Sequence, residues 1–403
     1  MKILHTADWH IGKKLHKHDL SEDFELFVDW LVELVKKEQI EAILVSGDIF
    51  DLANPSSESR RAYFQALLKL NALKCKLILT GGNHDSPAVL NAPRELLQAM
   101  DIHVIGSLPE RLEDCLIPLK NAEGKTQVVI AALPYLRDPD LRNATEEVSY
   151  ESRVEAIRVG IAKVFENTAE CCKEHFPNVP AIAMGHLFAA GVSTSESERD
   201  IQVGNEASFE ADKFGDYFKY IGLGHIHRPQ KVNALVPTFY SGSPLPLSFS
   251  ESEDKKRLLI LDTENFETES VKIPVFRQLK RISGTLEELK EKLGVIQPTG
   301  KLDTLLELEL KEDQYDPGKI FDLDRLVQEF ETEGAEIVKH RASFKNQIHG
   351  ASELYDSSKQ LEDLKPREVF EKRLDREDFD EETRKLVSEA FDEILEELEG
   401  KGE

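Results

Sequence analysis

Short apolar runs rich in branched residues recur along the first 230 or so positions of the chain: Lys2 to Thr6, Ala42 to Ser46, Leu77 to Thr80, Ala181 to Met184 and Tyr220 to Leu223. Their length and composition predict buried strands of a largely parallel or mixed sheet. Between them the apolar spacing turns helical. Ser57 to Leu70 follows the helix-start signal Asn54-Pro55-Ser56 and keeps Tyr63, Leu67 and Leu70 on one face. Leu90 to Met100 carries Leu96, Leu97 and Met100. Arg153 to Phe176 predicts a long amphipathic helix with Ile157, Ile161, Val164, Phe165 and Cys172 inward.

From about 276 the rhythm changes to strand Gln278 to Gly284, helix Leu286 to Leu293, strand Thr304 to Leu310, helix Leu323 to Glu333 and strand Ala335 to Arg341. That is a small α/β unit of the size of a cap. Phe344 to Lys359 is polar and reads as a linker. The end of the chain is highly charged, with helical stripes at Val369, Phe370 and Leu374, then at Leu386, Ala390, Ile394 and Leu398. Such narrow stripes on acidic helices cannot close a core and suit docking onto something else, although packing on the chain's own surface is the plainer alternative. The expected organisation is therefore residues 1–275, 276–345 and 353–403.

With 403 residues, 40% of them apolar, the chain can bury a large core and should exceed one domain. No stretch of eighteen apolar residues predicts a membrane span, and a strand at the N-terminus leaves no room for a secretion signal. The four cysteines (75, 115, 171 and 172) lack metal spacing, which fits a reducing cytoplasm. The net charge of −25 is awkward for a nucleic-acid binder. Residues 351–403 hold nine basic and nineteen acidic side chains, so −10 of that total belongs to the tail. Lys13, Lys14, Lys17, Arg60 and Arg61 are the thin basic complement near the motifs below, readable either as phosphate contacts or as a solvated surface.

Candidate chemistry enters at the strand ends. The five runs close on Asp8-Trp9-His10, Gly47-Asp48-Ile49-Phe50-Asp51, Gly82-Asn83-His84-Asp85, Gly185-His186 and Gly224-His225-Ile226-His227. Singly, each is an ordinary turn or strand end. Together they matter, because open α/β sheets build sites beyond the carboxyl ends of their strands. Alternate spacing in Asp8-x-His10 and His225-x-His227 sets both side chains on one side of an extended segment. Imidazole with carboxylate suits Mn²⁺, Fe²⁺ or Zn²⁺ better than Ca²⁺. The ligands exceed what one ion needs, and two ions about 3.5–4 Å apart clamp the oxygens of an in-line phosphoryl displacement. Asp48 is the natural bridging carboxylate, and Asn83 supplies a neutral oxygen. His84 is left to donate to phosphate or leaving group, with Asp51 placed to hold it protonated.

These motifs resemble the calcineurin-like metallophosphoesterases. More narrowly, Met1 to Gly12, Ser46 to Asp51, Gly81 to Pro87 and Tyr240 to Phe249 are similar to the nuclease subunits of SbcCD-type complexes. The resemblance is specific over about residues 1–280. It implies an α/β fold, a sandwich of mixed β-sheets flanked by helices, with a small α/β capping domain and C-terminal helices. It also implies one divalent metal on Asp8, His10, Asp48 and His227 and a second on Asp48, Asn83, His186 and His225, Mn²⁺ being the expected ion. His84 would be the acid or transition-state stabiliser. Asp51 matches the carboxylate that pairs with this His in the phosphatases, whereas Leu52-Ala53 stands where protein phosphatases carry Arg-Gly, which argues against that class.

The implied activity is hydrolysis of DNA, 3′→5′ from duplex ends and endonucleolytic on single strands and hairpins, in repair and recombination. The implied partners are DNA, a second copy through the helices near 57–70 and 90–100, and an SbcC-like coiled-coil ATPase bound by the C-terminal helices within a heterotetramer. Nothing in the chain matches Gly-x-x-x-x-Gly-Lys-Ser/Thr, so ATP would be used by the partner. A phosphodiesterase for small substrates, and a scaffold with a silent metal site, are the competing readings.

Overall fold

The computed structural model describes residues 1–141, 150–198 and 208–344, together with the single positions 370, 374, 384, 387, 388, 390 and 391. The chain opens with β1 (Lys2–Thr6), a small hairpin of β2 (Lys14–Leu15) and β3 (His18–Asp19), then α1 (Ser21–Glu38), β4 (Ala42–Ser46), α2 (Ser57–Asn71) and β5 (Lys76–Thr80). Two short helices, α3 (Pro87–Asn91) and α4 (Arg94–Gln98), lead to β6 (Ile102–Ile105), β7 (Leu116–Lys120) and β8 (Thr126–Ala132). After α5 (Asp138–Leu141) and the long α6 (Tyr150–His175) come β9 (Ala181–His186), β10 (Tyr220–Gly224), β11 (Gln230–Val232), β12 (Thr238–Tyr240), β13 (Arg257–Asp262) and β14 (Thr268–Lys272). The last unit is β15 (Leu279–Gly284), α7 (Leu286–Gly294), β16 (Thr304–Glu312), α8 (Pro317–Gln328) and β17 (Ala335–Phe344).

Two six-stranded sheets, in the orders β14-β13-β1-β4-β5-β6 and β11-β12-β10-β9-β8-β7, form the core. β1, β4, β5 and β6 run parallel, as do β8, β9, β10 and β12. The period-2 geometry of a strand explains the layering. Ile3, Ala42, Leu44 and Ile78 point between the sheets and pack with Ile130, Ile182 and Ile221. Their sequence neighbours Leu4, Ile43, Leu77 and Leu79 point outward beneath Phe24, Phe27 and Leu31 of α1 and Tyr63, Leu67 and Leu70 of α2. α6 covers the other sheet with Ile157, Ile161, Phe165 and Cys172. The architecture is the mixed-sheet α/β sandwich that the sequence leads one to expect.

The last unit is a three-stranded parallel sheet, β15-β16-β17, with Leu289, Leu293 and Leu323 of its two helices packed on one face. It touches the core through Leu279 and Leu305, which meet Leu15, Leu20 and Phe249. The buried ion pair of Arg277 with Asp23, at 2.9 Å, lies beside that seam.

Two helices differ from their expected spans. The run Leu90 to Met100 is divided into α3 and α4 because Pro93 cannot continue a helix. The helix expected at Leu323 to Glu333 starts earlier, at Pro317, where the Asp316 side chain caps it by accepting from Gly318 N at 2.8 Å. Among the described residues, no helix is long and apolar enough to cross a membrane. The polar linker and nearly all of the striped C-terminal segment lie outside the described residues.

Candidate metal centre

Because β1, β4, β5, β9 and β10 run parallel within their sheets, their carboxyl ends open on one side, and the segment after each delivers polar side chains to a single buried cluster. Ligand atoms of Asp8, His10, Asp48 and His227 all lie within 4.8 Å of one another. So do those of Asp48, His186 and His225. Asn83 joins the second group, its Oδ1 2.9 Å from His186 Nε2 and 3.3 Å from His225 Nδ1. Asp48 is common to both groups. Every one of these residues except Asn83, which is half-buried, is at most 2% exposed.

The loops hold one another in place. Asp8 N donates to Gly47 O, and His10 N to Asp48 O, each at 3.0 Å. Asp85 accepts from Ile49 N, Phe50 N and Gly82 N at 2.9–3.0 Å, tying the segment after β4 to the segment after β5. A side chain at Gly47, which has φ of +82°, would run into the His186 ring, and one at Gly82 would run into Asp48. Asp8, His10, Asp48 and His225 all have positive φ, between 45° and 102°. The expectation of an extended Asp8-x-His10 segment is therefore wrong. The cross-loop hydrogen bonds turn the backbone into the left-handed region, a strain of the kind that collects at functional sites.

Whether cations fit can be asked of the hydrogen bonds. Asp8 Oδ2, Asp48 Oδ2 and His225 Nε2 are buried with no hydrogen-bond partner. Leaving such a group unsatisfied costs about 1–3 kcal/mol, more when it is charged. His10 Nδ1 faces the Asp51 carboxylate at 3.2 Å and His227 Nδ1 faces Ser197 Oγ at 2.5 Å. Both rings then turn Nε2 toward the same space, where the two nitrogens stand 3.1 Å apart. Two lone pairs and two bare carboxylate oxygens aimed at each other are a donor set for divalent cations, with N and O ligands and no thiolate. The residues fit.

The electrostatics of the cluster's own groups say the same. Burial pushes Asp8 up to about 7 and His10 down to about 4. Burial alone would also raise Asp48, yet the facing His186, His10 and His84 hold it well below the usual carboxylate range. In return Asp48 and Asp8 overcome the burial of His186 and lift it to about 9. Burial, with the charge of His186 added, keeps His225 well below its ordinary value.

His84 stands beside both groups, its Nε2 4.0 Å from Asp48 Oδ2 and its ring edge-on to His10 at 4.7 Å. Its Nδ1 donates to the main-chain carbonyl of Asp51 at 2.8 Å. The Asp51 side chain lies within 4.8 Å of both His10 and His84, but its carboxylate is taken up by His10 and by Lys13 at 3.1 Å. His84 thus bonds the Asp51 backbone, while the Asp51 carboxylate lies against His10 and Lys13 and within reach of the His84 ring. That arrangement keeps Asp51 well below its ordinary value against the effect of burial.

Of the basic candidates, Lys13 is spent on Asp51, and Arg60 donates to Asn54 Oδ1 at 3.2 Å. Lys14, Lys17 and Arg61 are exposed, and Lys14 and Arg61 line one cleft of about 560 Å³. Sequence reasoning passed over Asp85 as an anchor, and missed Ser197, Glu198, Glu251 and Lys256, which surround His227. The only signal for the last group was the Ser-rich stretch 241–250 that ends beside Glu251.

The sequence matches the calcineurin-like phosphoesterase family over residues 1–229 and the type 5 capsule protein repressor C-terminal domain over residues 275–378. The SbcD subunit of nuclease SbcCD from Escherichia coli K12 is 30% identical over 410 residues, covering 100% of both chains. Proteins of the same description from Rhodobacter capsulatus and Bacillus subtilis are 36% and 34% identical, over 65% and 66% of this chain and 66% of each relative.

Proposed function

The chain belongs to the calcineurin-like phosphoesterases and, within them, to the family of SbcD subunits of nuclease SbcCD, and on that premise we propose that it is a two-metal DNA nuclease working with an ATPase partner. The observation that carries this reading is the convergence of Asp8, His10, Asp48, His186, His225 and His227, all buried, and of half-buried Asn83 around two carboxylate oxygens and one imidazole nitrogen that lack hydrogen-bond partners. Asp8, His10, Asp48 and His227 would hold one ion, and Asp48, Asn83, His186 and His225 the other, with Mn²⁺ the working ion. When bound, such a pair activates water and clamps the attacking and leaving oxygens of a phosphodiester.

The chain's own groups do the rest. The Asp51 carbonyl fixes the His84 ring and aims Nε2 into the site, where in its protonated form it would donate to a phosphate or leaving oxygen. The Asp51 carboxylate orients His10, and Asp85 keeps the two ligand loops in register. Cleavage would leave a 5′-phosphate and a 3′-hydroxyl, proceed 3′→5′ from duplex ends, and open hairpins and single strands. Lys14, Lys17 and Arg61 would meet the DNA backbone, with the ATPase supplying much of the remaining grip. Phe64 and Leu68 of α2, Leu96 of α4 and nearby Leu52 are 39–69% exposed, an apolar set suited to a second copy of the chain. Segment 353–403 would dock on the coiled coil of the ATPase, and the setting would be cytoplasmic DNA repair.

Cleavage of end-labelled duplex and hairpin DNA with Mn²⁺, Mg²⁺ or EDTA tests the reading. Mn²⁺-dependent cutting that His84→Ala abolishes is the expected result. Turnover of cyclic nucleotides or bis-p-nitrophenyl phosphate, with DNA untouched even when the ATPase is present, would replace it with a small-substrate phosphodiesterase.

A further inference from the structure

Beside His227 lies a second buried polar cluster to which the chemistry above gives no role. Glu251 is 1% exposed, yet its carboxylate accepts from Leu247 N at 3.1 Å, Ser195 Oγ at 3.0 Å, Ser248 Oγ at 3.1 Å, Ser197 Oγ and Lys256 Nζ at 2.5 Å. Lys256, 6% exposed, spends its other two protons on His227 O and Ser243 Oγ, both at 2.9 Å. The His227 amide donates to Glu198 at 2.9 Å. Ser197 Oγ stands between Glu251 and His227 Nδ1; since its proton goes to the carboxylate, it accepts from the ring. A buried ion pair is weak support for stability, because apolar residues of the same volume often do as well. Here its hydrogen bonds converge instead on the backbone and the ring of one imidazole.

We propose that Glu251, acting through Ser197 and Lys256, is the positioning residue for His227. It fixes the Nδ1–H tautomer and the plane of the ring, so that Nε2 is turned toward Asp8, His10 and Asp48, with which it would hold a cation. A carboxylate behind a histidine ligand orients the ring and raises its basicity. The inference rests on the two-metal reading above. It also gives the stretch Tyr240 to Phe249 a task, because that stretch wraps the buried Glu251 and delivers it, through Ser197, to the ring.

The experiment is Mn²⁺ titration of the full-length chain, followed by calorimetry and by electron paramagnetic resonance, for wild type, Glu251→Gln, Ser197→Ala and Ser197→Thr. Ser197 lies on a partly exposed loop, so its replacement leaves the buried ion pair intact and the fold testable by circular dichroism. Wild type should take two ions with a spin-coupled signal. In Ser197→Ala and Glu251→Gln one site should weaken about 10- to 100-fold while the other holds, and Ser197→Thr should restore it. Two ions bound with wild-type affinities and an unchanged spectrum in both Ser197→Ala and Glu251→Gln would overturn the positioning role and leave the two-metal reading standing. A wild-type chain that takes up no Mn²⁺ would overturn both. Should Glu251→Gln fail to fold, Ser197→Ala decides alone.

Discussion

His84 touches the site without being needed to hold a cation, since its Nδ1 is committed to a carbonyl and its Nε2 stays 4.0 Å from Asp48. His84→Ala is therefore expected to lower turnover about 10²- to 10⁴-fold while the bound Mn²⁺, measured by elemental analysis, stays at the wild-type amount. Protons give a second residue-scale outcome. The facing Asp48 and Asp8 lift His186 to about 9, and burial lifts Asp8 to about 7. Both bind a proton more tightly than in an unfolded chain, and a cation must displace those protons to reach Nε2 and Oδ2. Metal affinity should thus fall as pH drops below about 9 and fall further below about 7. Calorimetric titration at pH 7 in two buffers of different ionisation enthalpy should register net proton release, and identical heats in both would contradict it. The ligand candidates were legible because each stands just past an apolar run. Glu251 and Lys256 were not, since nothing in their local spacing says that they lie behind His227.

At the scale of elements, the parallel strands act as the ruler of the site: any change that loosens their stacking moves all five ligand segments at once. Leu44 is fully buried between the sheets, so Leu44→Ala should cost about 2–5 kcal/mol, read from the urea midpoint. α2 has two faces with different duties. Its inner face, Tyr63, Leu67 and Leu70, packs on the sheet, whereas Phe64 and Leu68 look outward. Leu68→Glu should leave the unfolding midpoint within about 0.5 kcal/mol, as surface changes do, and convert a dimer to a monomer in light scattering. A monomeric wild type would remove the basis for that interface. Element type was readable from periodicity, and boundaries less so: Pro93 divided one helix and Asp316-Pro317 began another six residues earlier than its apolar pattern suggested. In both places a backbone rule carried by one or two residues outweighed the hydrophobic rhythm.

For the molecule as a whole, the acidic balance of −25 and the carboxylate-rich centre favour cations in both structural and catalytic terms. A site filled at a hundred times its dissociation constant adds about 2.7 kcal/mol to the folded state. Chelation with EDTA should accordingly lower the thermal midpoint, and Mn²⁺ should restore it in wild type while raising that of Asp48→Asn far less. The three-stranded α/β unit is joined to the two-sheet core by more than the chain between them. His18 meets Glu336 at 2.9 Å, and Arg281 reaches Glu196, next to Ser197, at 3.4 Å. The sequence by itself determined the strand-and-helix alternation, the identity of the ligand candidates and the family resemblance, because apolar periodicity and residue chemistry are local properties. Only the tertiary structure decided that these candidates converge in one buried cluster, that the Asp51 carboxylate lies against His10 and Lys13, and that Glu251 stands behind His227. Those are distances between residues up to 219 positions apart, from Asp8 to His227, and they exist only once two sheets have packed face to face and brought their carboxyl ends together.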